Sequence, residues 1–110
     1  MTGVHHLKSY PYLFEATRDG TKKHDMRRDD RGFTVGDTVV LREYDKVSSA
    51  YTGRSLTARI SYITSVENPC ALSGDGLKFG YCILSLRFGP WLAIRNLFTA
   101  RRKKSSTNLL

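Results

Sequence analysis

The sequence predicts an α+β domain made mostly of short β-strands that curl into a barrel-like sheet. Three observations lead to this prediction. Apolar or alternating runs recur along the chain and are separated by segments rich in Gly, Asp and Ser, as is typical of strands and turns. One segment near the start has helical spacing instead. The length of 110 residues and the 40% content of hydrophobic residues suit one domain with a modest core.

The first predicted elements are a strand, a helix and a second strand. Residues 4–10 have a strand-like composition. The next segment begins with Pro11, which the first turn of a helix tolerates, and reaches Gly20, which commonly follows a helix. Its apolar face, at helical spacing, consists of Tyr10, Leu13, Phe14 and Thr17. Residues 22–27 then predict a strand of mixed polarity, followed by turns over residues 28–37.

The strongest strand patterns come later in the chain. Residues 37–45 are rich in β-branched and apolar residues and predict a strand through the core. Residues 46–54 have the small polar composition of a loop, whereas residues 55–66 alternate like a half-buried strand. The inward face of that strand is predicted to hold Leu56, Ala58, Ile60, Tyr62 and Thr64. Residues 67–80 predict a loop.

The last predicted strand covers residues 81–88, and its inward face has two alternatives. Either Tyr81 and Ile83 point inward, or Cys82, Leu84 and Leu86 do. We therefore expect a barrel domain over residues 1–89. Over residues 90–110 we expect a helical extension with Trp91, Ile94, Leu97 and Phe98 at helical spacing, followed by a basic, disordered tail.

The net charge of +8 is unevenly distributed along the chain. Residues 101–104, RRKK, supply half of it, so the rest of the chain is only mildly basic. Such basic runs are usually solvated and contact phosphates or acidic surfaces without specificity. The overall charge is therefore weak evidence for a nucleic-acid partner.

The chain offers few residues for metal or disulfide chemistry. Cys70 and Cys82 are the two cysteines, too few for a disulfide framework or a four-cysteine zinc site. His5 and His6 are strand neighbours and point to opposite faces, so they cannot share a metal there. We expect no metal and no cofactor.

Membrane and export signals are not apparent in the sequence. The longest apolar-rich segment is interrupted by Arg87 and by Gly89-Pro90 and is too short for a membrane span. The first ten residues lack the pattern of a secretory signal. We expect a cytoplasmic protein without membrane contact, and the oligomeric state stays open.

The densest cluster of charged residues lies between the predicted helix and the predicted core strand. On an extended strand Asp25 and Arg27 share a face, and Lys22 lies opposite unless a bulge or the strand's start reorients it. Such groups can hold a nucleotide, with the guanidinium on phosphate or a base edge and the carboxylate accepting from a base amine. The structural alternative is that Asp25 and Asp30 pair with Arg27 and Arg31 to fix the turn.

Several short motifs occur in a fixed order along residues 5–88. They are H-x-L-K at residues 5–8, G-x-K-x-x-[ED]-x-R at 20–27, D-D-R-x-F-x-x-G-D at 29–37, L-R-E at 41–43 and Y-T-G-R at 51–54. In this order they resemble the small ASCH-like proteins of phage and bacterial genomes, which belong to the PUA-like superfamily. The resemblance does not extend beyond residue 88.

The resemblance implies a PUA-like (ASCH) β-barrel of about five to six strands with one or two short helices. It also implies a cleft that binds RNA or a nucleotide, lined by Gly20, Lys22, Asp25 and Arg27, with residues 29–33 as its rim. Together with the charges nearby, the candidate binding residues are Lys8, Lys22, Asp25, Arg27, Arg31 and Glu43. Glu43 has a structural alternative as the partner of Arg54.

Two other functions remain open at this stage. Some ASCH proteins are acetylcytidine amidohydrolases that use a Lys as the base for a Thr three residues later. Lys22 matches that Lys, but Asp25 stands at the Thr position, so Lys22 and Asp25 are the candidate catalytic residues and Asp25 would act as a general base on water. The third function is that of a phage-type interaction protein that contacts a protein partner through residues 90–110.

Overall fold

The computed structural model of this protein describes residues 3–89, in which one five-stranded sheet is accompanied by two short helices. The elements in chain order are β1 (Val4–Ser9), α1 (Pro11–Arg18), β2 (His24–Arg28), β3 (Thr38–Asp45), β4 (Ala50–Ser65), α2 (Ser73–Gly76) and β5 (Tyr81–Arg87). The expected helical extension and basic tail over residues 90–110 lie outside the described residues. No helix within residues 3–89 has the length and apolar character needed to cross a membrane.

The sheet has the strand order β1-β3-β4-β5-β2. β1 runs parallel to β3, and the other neighbours are antiparallel. β1 and β2 are therefore the two edges of a sheet that curls into a half-barrel. This architecture confirms the predicted α+β, barrel-like class and the predicted presence of short helices.

Two arginine side chains bridge the edges of the curled sheet. Arg27 of β2 donates through Nη2 to the carbonyl oxygen of Lys8 in β1, and Arg31, just after β2, donates through Nη1 to the carbonyl oxygen of His6 at 3.0 Å. Edge carbonyls that no strand pairs need other donors or water. We call this junction between β1 and β2 the seam.

Helix α1 directly follows β1 and packs against the sheet. Pro11 occupies its first turn, where the missing N–H costs nothing, and the helix buries Phe14 and Thr17. The Thr17 hydroxyl donates to the Leu13 carbonyl at 2.9 Å, which satisfies this polar group inside the core. Gly20 ends the segment with φ +88°, a conformation that glycine adopts without strain.

The core lies on the concave side of the sheet. Strand alternation places every second residue there, and in β5 the inward residues are the second of the two predicted sets. The buried hydrophobic residues are Leu7, Phe14, Phe33, Val39, Leu41, Leu56, Ala58, Ile60, Cys82, Leu84 and Leu86.

Strand β4 departs from the sequence prediction at both ends. It begins at Ala50, so residues 50–54, predicted as a loop, are strand instead. Its pairing register with β5 shifts between Ile60 and Tyr62, and such an irregularity reverses the inward and outward faces. Tyr62, predicted inward, is consequently 51% exposed, whereas Ile63 packs against the core. A helix of four residues, α2, also lies in the predicted loop over residues 67–80.

Candidate functional site

Lys22, Asp25 and Arg27 converge at the start of β2. Arg27 Nε donates to Asp25 Oδ2 at 2.7 Å, and Lys22 Nζ lies 3.5 Å from Asp25 Oδ1 while also donating to the His24 carbonyl oxygen. Asp25 and Arg27 share the inward face of β2, as alternation predicts. Lys22 precedes the strand, so its side chain is free to turn toward the same carboxylate. The predicted cluster therefore forms, and its ion pair between Asp25 and Arg27 is the predicted structural pair.

The other candidates from the sequence are placed differently. Lys8 contributes its backbone carbonyl to the seam, while its ammonium lies 4.2 Å from the ring centroid of Tyr44 on the outer face of the sheet. Arg31 reaches the seam and also lies 3.6 Å from Asp30. Lys8 is thus close to the cluster through its backbone, and its side chain points away.

Glu43 forms a second ionic network with Arg54, the structural alternative considered from the sequence. Arg54 donates through Nε to Glu43 Oε1 at 2.8 Å and through Nη2 to Glu43 Oε2 at 2.9 Å. The same Nη2 donates to Glu15 Oε2 of α1 at 2.6 Å, and the Thr52 hydroxyl donates to Glu43 Oε1 at 2.7 Å. Glu43 is nearly fully buried, with 4% exposure, so this guanidinium neutralises a charge in the interior.

These contacts lower the pKa of both carboxyl groups in the network. The hydrogen bond from Arg54 is the main cause for Glu43, helped by Thr52 and opposed by burial. Partial burial raises the pKa of Glu15, but hydrogen bonds from Arg54 and Arg18 outweigh it, so its pKa also lies below the ordinary value.

The two ionic networks lie at the same end of the half-barrel. Arg27 reaches Lys8 across the seam, and the next residue of β1, Ser9, pairs in register with Glu43 of β3. Ser9 and Glu43 are both buried, one step beyond the apolar pair Leu7 and Leu41. We call this end, defined by Lys22, Asp25, Arg27, Ser9, Glu43 and Arg54, the polar end.

Sequence reasoning missed a buried pair near the start of β3. Asp37 accepts hydrogen bonds from Gly3 N at 2.8 Å and Thr34 N at 3.0 Å, and its Oδ2 lies 2.8 Å from His5 Nε2. The hydrogen bond with His5, followed by that from Gly3, lowers the pKa of Asp37. The turn at Gly36-Asp37 indicated the start of a strand. It did not indicate that the Asp37 carboxylate holds β1 through its contacts with Gly3 and His5.

The motif Y-T-G-R over residues 51–54 belongs to two surfaces. Thr52 and Arg54 point to Glu43 at the polar end, whereas Tyr51 lies on the outer face against Tyr44, with ring centroids 5.1 Å apart. Gly53 between them has φ +97°, at the place where the register of β3 and β4 shifts. The positive φ of Gly53 thus permits the shift in register between β3 and β4.

The hydroxyl groups nearest to the cluster in sequence are engaged elsewhere. Thr21 Oγ1 contacts the Ala16 carbonyl and Asp19 Oδ1, and Thr34 Oγ1 donates to the Gly32 carbonyl. Neither contacts Lys22 or Asp25. Neither hydroxyl is therefore placed to act as a nucleophile that Lys22 activates.

Side chains that commonly bind metal ions do not cluster in the described part of the chain. Across residues 3–89, no three His, Cys, Asp or Glu side chains are grouped so that they could hold a metal ion. Both cysteines are free: Cys70 is exposed, and Cys82 is buried, where burial raises the pKa of its thiol to about 11.

Residues 4–86 match the family model DUF3850, a domain of unknown function. The chain is also similar to the protein described as an uncharacterized 12.9 kDa protein in the GpA 3' region of Escherichia phage P2. The two are 32% identical over 68 residues, which is 62% of this chain and 61% of the phage protein. The match thus spans less than two thirds of that relative.

Proposed function

This chain belongs to the DUF3850 family, and we propose that it is a PUA-like domain of the ASCH type that binds RNA or a nucleotide at the polar end. The curled five-stranded sheet, with a helix directly after its first strand, supports the PUA-like assignment. The ordered motifs over residues 5–88 support the ASCH assignment. The proposal for the ligand depends on the polar end itself.

The observation that carries the proposal is the convergence of Lys22, Asp25 and Arg27 beside the seam. Their side chains are 18%, 14% and 25% exposed, so they are reachable but partly shielded from water. Hydrogen bonds to charged groups are stronger in such surroundings than in bulk solvent. Arg27 uses Nε and Nη2 within residues 3–89, which leaves the donors of Nη1 for a ligand.

The mutual ion pairs prepare the site before a ligand arrives. Asp25 holds Arg27 and Lys22 in place, so little side-chain entropy remains to be lost on binding. A phosphate or base carbonyl then accepts from Lys22 and Arg27, and a base amine donates to the remaining lone pairs of Asp25. This mixed set of donors and an acceptor suits a nucleotide better than a simple anion.

Calorimetric titration with mononucleotides and short single-stranded RNA tests the proposal. Lys22→Gln is the test variant, and Lys23→Gln is its matched control, because Lys23 is the exposed neighbour. We expect Lys22→Gln to weaken nucleotide binding about 10-fold, the loss of one hydrogen bond from a charged group, and Lys23→Gln to change it less than about 2-fold. Asp25→Asn should change which base is preferred, because it adds a donor.

Absence of nucleotide binding by the parent protein, or equal effects of Lys22→Gln and Lys23→Gln, would contradict this site. Incubation with acetylated cytidine separates binding from hydrolysis. We expect no acetate release. Release by the parent that disappears in Asp25→Asn would replace the proposal with a hydrolase in which Asp25 is the catalytic base.

A further inference from the structure

The outer face of β1, β3 and the first part of β4 carries positive charge without carboxylates. No Asp or Glu occupies an outward position in β1, in β3 up to Tyr44 or in β4 up to Arg59. Lys8, Arg42 and Arg59 do occupy such positions. Within residues 3–89, neither Lys8 nor Arg42 makes an ion pair.

Two of these cations are direct neighbours across the sheet. Lys8 and Arg42 are partners in the register of β1 and β3. Like charges opposite one another destabilise a sheet, since each raises the energy of the other. An anion bound between them would remove that repulsion, which is the first indication of a ligand.

Aromatic rings lie beside the same cations. The Arg42 guanidinium is 3.9 Å from the centroid of the Tyr51 ring, and Lys8 Nζ is 4.2 Å from that of Tyr44. The two rings meet edge to face, with an interplanar angle of 73°. Tyr51 is 42% exposed, so part of it is available to a further ring.

A groove of about 350 Å³ opens at this place. It is lined by His6, Val40, Arg42, Tyr51, Gly53, Arg54 and Ser55, and we call it the outer groove. Its volume lies within the range of about 300–1,000 Å³ that is usual for small-molecule sites. The backbone at Gly53 borders open space, because a Cβ built there would meet no atom within 4 Å.

We propose that the outer groove binds single-stranded nucleic acid, with a base stacked on Tyr51 and its flanking phosphates on Arg42 and Lys8. Exposed aromatic rings stack on unpaired bases of any sequence, and adjacent cations neutralise the backbone. A duplex hides its base faces, so it uses the cations alone. An acidic peptide likewise offers carboxylates without a planar ring for Tyr51.

This inference rests on the proposed function, since it gives the RNA a second contact surface. The two surfaces lie on opposite faces of the sheet, Lys22 and Arg27 being on the concave side and Tyr51 on the outer side. Variants therefore separate them. Mononucleotide binding reports the polar end, and the additional affinity of an oligonucleotide reports the outer groove.

Fluorescence anisotropy with a labelled single-stranded RNA of ten nucleotides, and with the duplex of the same length, tests the outer groove. Tyr51→Ala is the test variant. Tyr62→Ala is its matched control, since Tyr62 is a comparably exposed tyrosine on another part of the outer face. We expect Tyr51→Ala to weaken single-strand binding about 10-fold and Tyr51→Phe to retain it, because stacking needs the ring and not the hydroxyl.

Arg42→Gln supplies a second readout that does not depend on the ring. We expect the slope of log affinity against log salt for the single strand to become less steep by about 0.7, the value for one phosphate contact. Equal loss in Tyr51→Ala and Tyr62→Ala, an unchanged slope in Arg42→Gln, or equal binding of polyglutamate would overturn the inference. If Lys22→Gln weakens mononucleotide binding while Tyr51→Ala leaves the affinity for the oligonucleotide unchanged, the inference about the outer groove is wrong and the proposal for the polar end is kept.

Discussion

The polar end and the outer groove contain the same kinds of cations but different partners for them. At the polar end Arg27 and Arg54 each meet a carboxylate within 3 Å. On the outer face Arg42 and Lys8 lie against aromatic rings, and within residues 3–89 neither makes an ion pair. Removing one partner of a paired, buried charge destabilises the fold, because the other partner is left uncompensated. Cations beside exposed rings retain most of their attraction for an outside anion.

Burial explains why the two regions differ. Glu43 lies inside the half-barrel, where an unpaired carboxylate is costly, so Arg54 and Thr52 must satisfy it. The outer face is solvated, and a cation there needs no partner to be tolerated. Substitutions at the polar end should therefore mainly lower the free energy of unfolding. Substitutions in the outer groove should mainly weaken binding.

Acidification should produce the largest loss of stability. The pKa values of Glu15, Asp37 and Glu43 are lowered in the folded protein, so the unfolded chain binds more protons between the folded and unfolded values. The stabilisation is fully present above the ordinary carboxyl pKa of about 4 and is lost as the pH falls through the lower pKa values of the folded protein. Melting temperature measured between pH 6 and pH 2.5 checks this.

Asp37→Asn and Glu43→Gln should each make the pH dependence shallower. A melting temperature that does not change between pH 6 and pH 2.5 would show that these paired carboxylates do not stabilise the fold.

Arg54→Gln should destabilise the fold more than the matched substitution of a cation on the outer face. It leaves Glu43 buried without its guanidinium, a change that costs up to about 3–5 kcal/mol for a fully buried pair. Because the Arg54 side chain is 46% exposed, water reaches the site, and we expect a loss of about 2–3 kcal/mol in the free energy of unfolding. Urea denaturation measures this value.

The matched substitution on the outer face is Arg42→Gln. It removes only a cation–π contact at an exposed site, which is worth about 0.5–1 kcal/mol. Equal losses in Arg54→Gln and Arg42→Gln would remove the distinction between paired and unpaired cations.

Gly53→Ala should have a smaller effect than Arg54→Gln, of about 1 kcal/mol, because its φ of +97° is strained for any residue with a Cβ. The added methyl meets no neighbour, so backbone strain is the only cause. Gly74→Ala is the control, since Gly74 also borders open space and its φ lies outside the left-handed region. Thermal denaturation of both variants checks the difference. An unchanged melting temperature in Gly53→Ala would contradict the role of Gly53 in the register shift between β3 and β4.

Much of the fold was predictable from local patterns. The spacing of Phe14 and Thr17 gave α1, the apolar run gave β3, and the charges around Asp25 indicated a cluster that the structure contains. These features depend on residues close in sequence, where periodicity and turn chemistry are informative.

The features that were not predictable depend on contacts between distant residues. The register shift near Ile60 turned Tyr62 outward, and simple alternation cannot detect such an irregularity. The pairing of Lys8 with Arg42 depends on the strand order, and so does the contact of Arg42 with Tyr51. The outer groove is therefore a property of the assembled sheet.

The most direct test of the account is whether the proposed nucleic-acid recognition resides in residues 3–89 or in the basic run at residues 101–104. Anisotropy titrations compare the parent with a variant in which all four of these Arg and Lys residues are replaced by Gln, using single-stranded RNA and the matching duplex. We expect both proteins to prefer the single strand to the same degree, because point charges without a stacking surface do not distinguish bases. Only the salt-sensitive affinity that single strand and duplex have in common should be lower in the variant. Loss of the preference in the variant would contradict the account and assign recognition to the basic run.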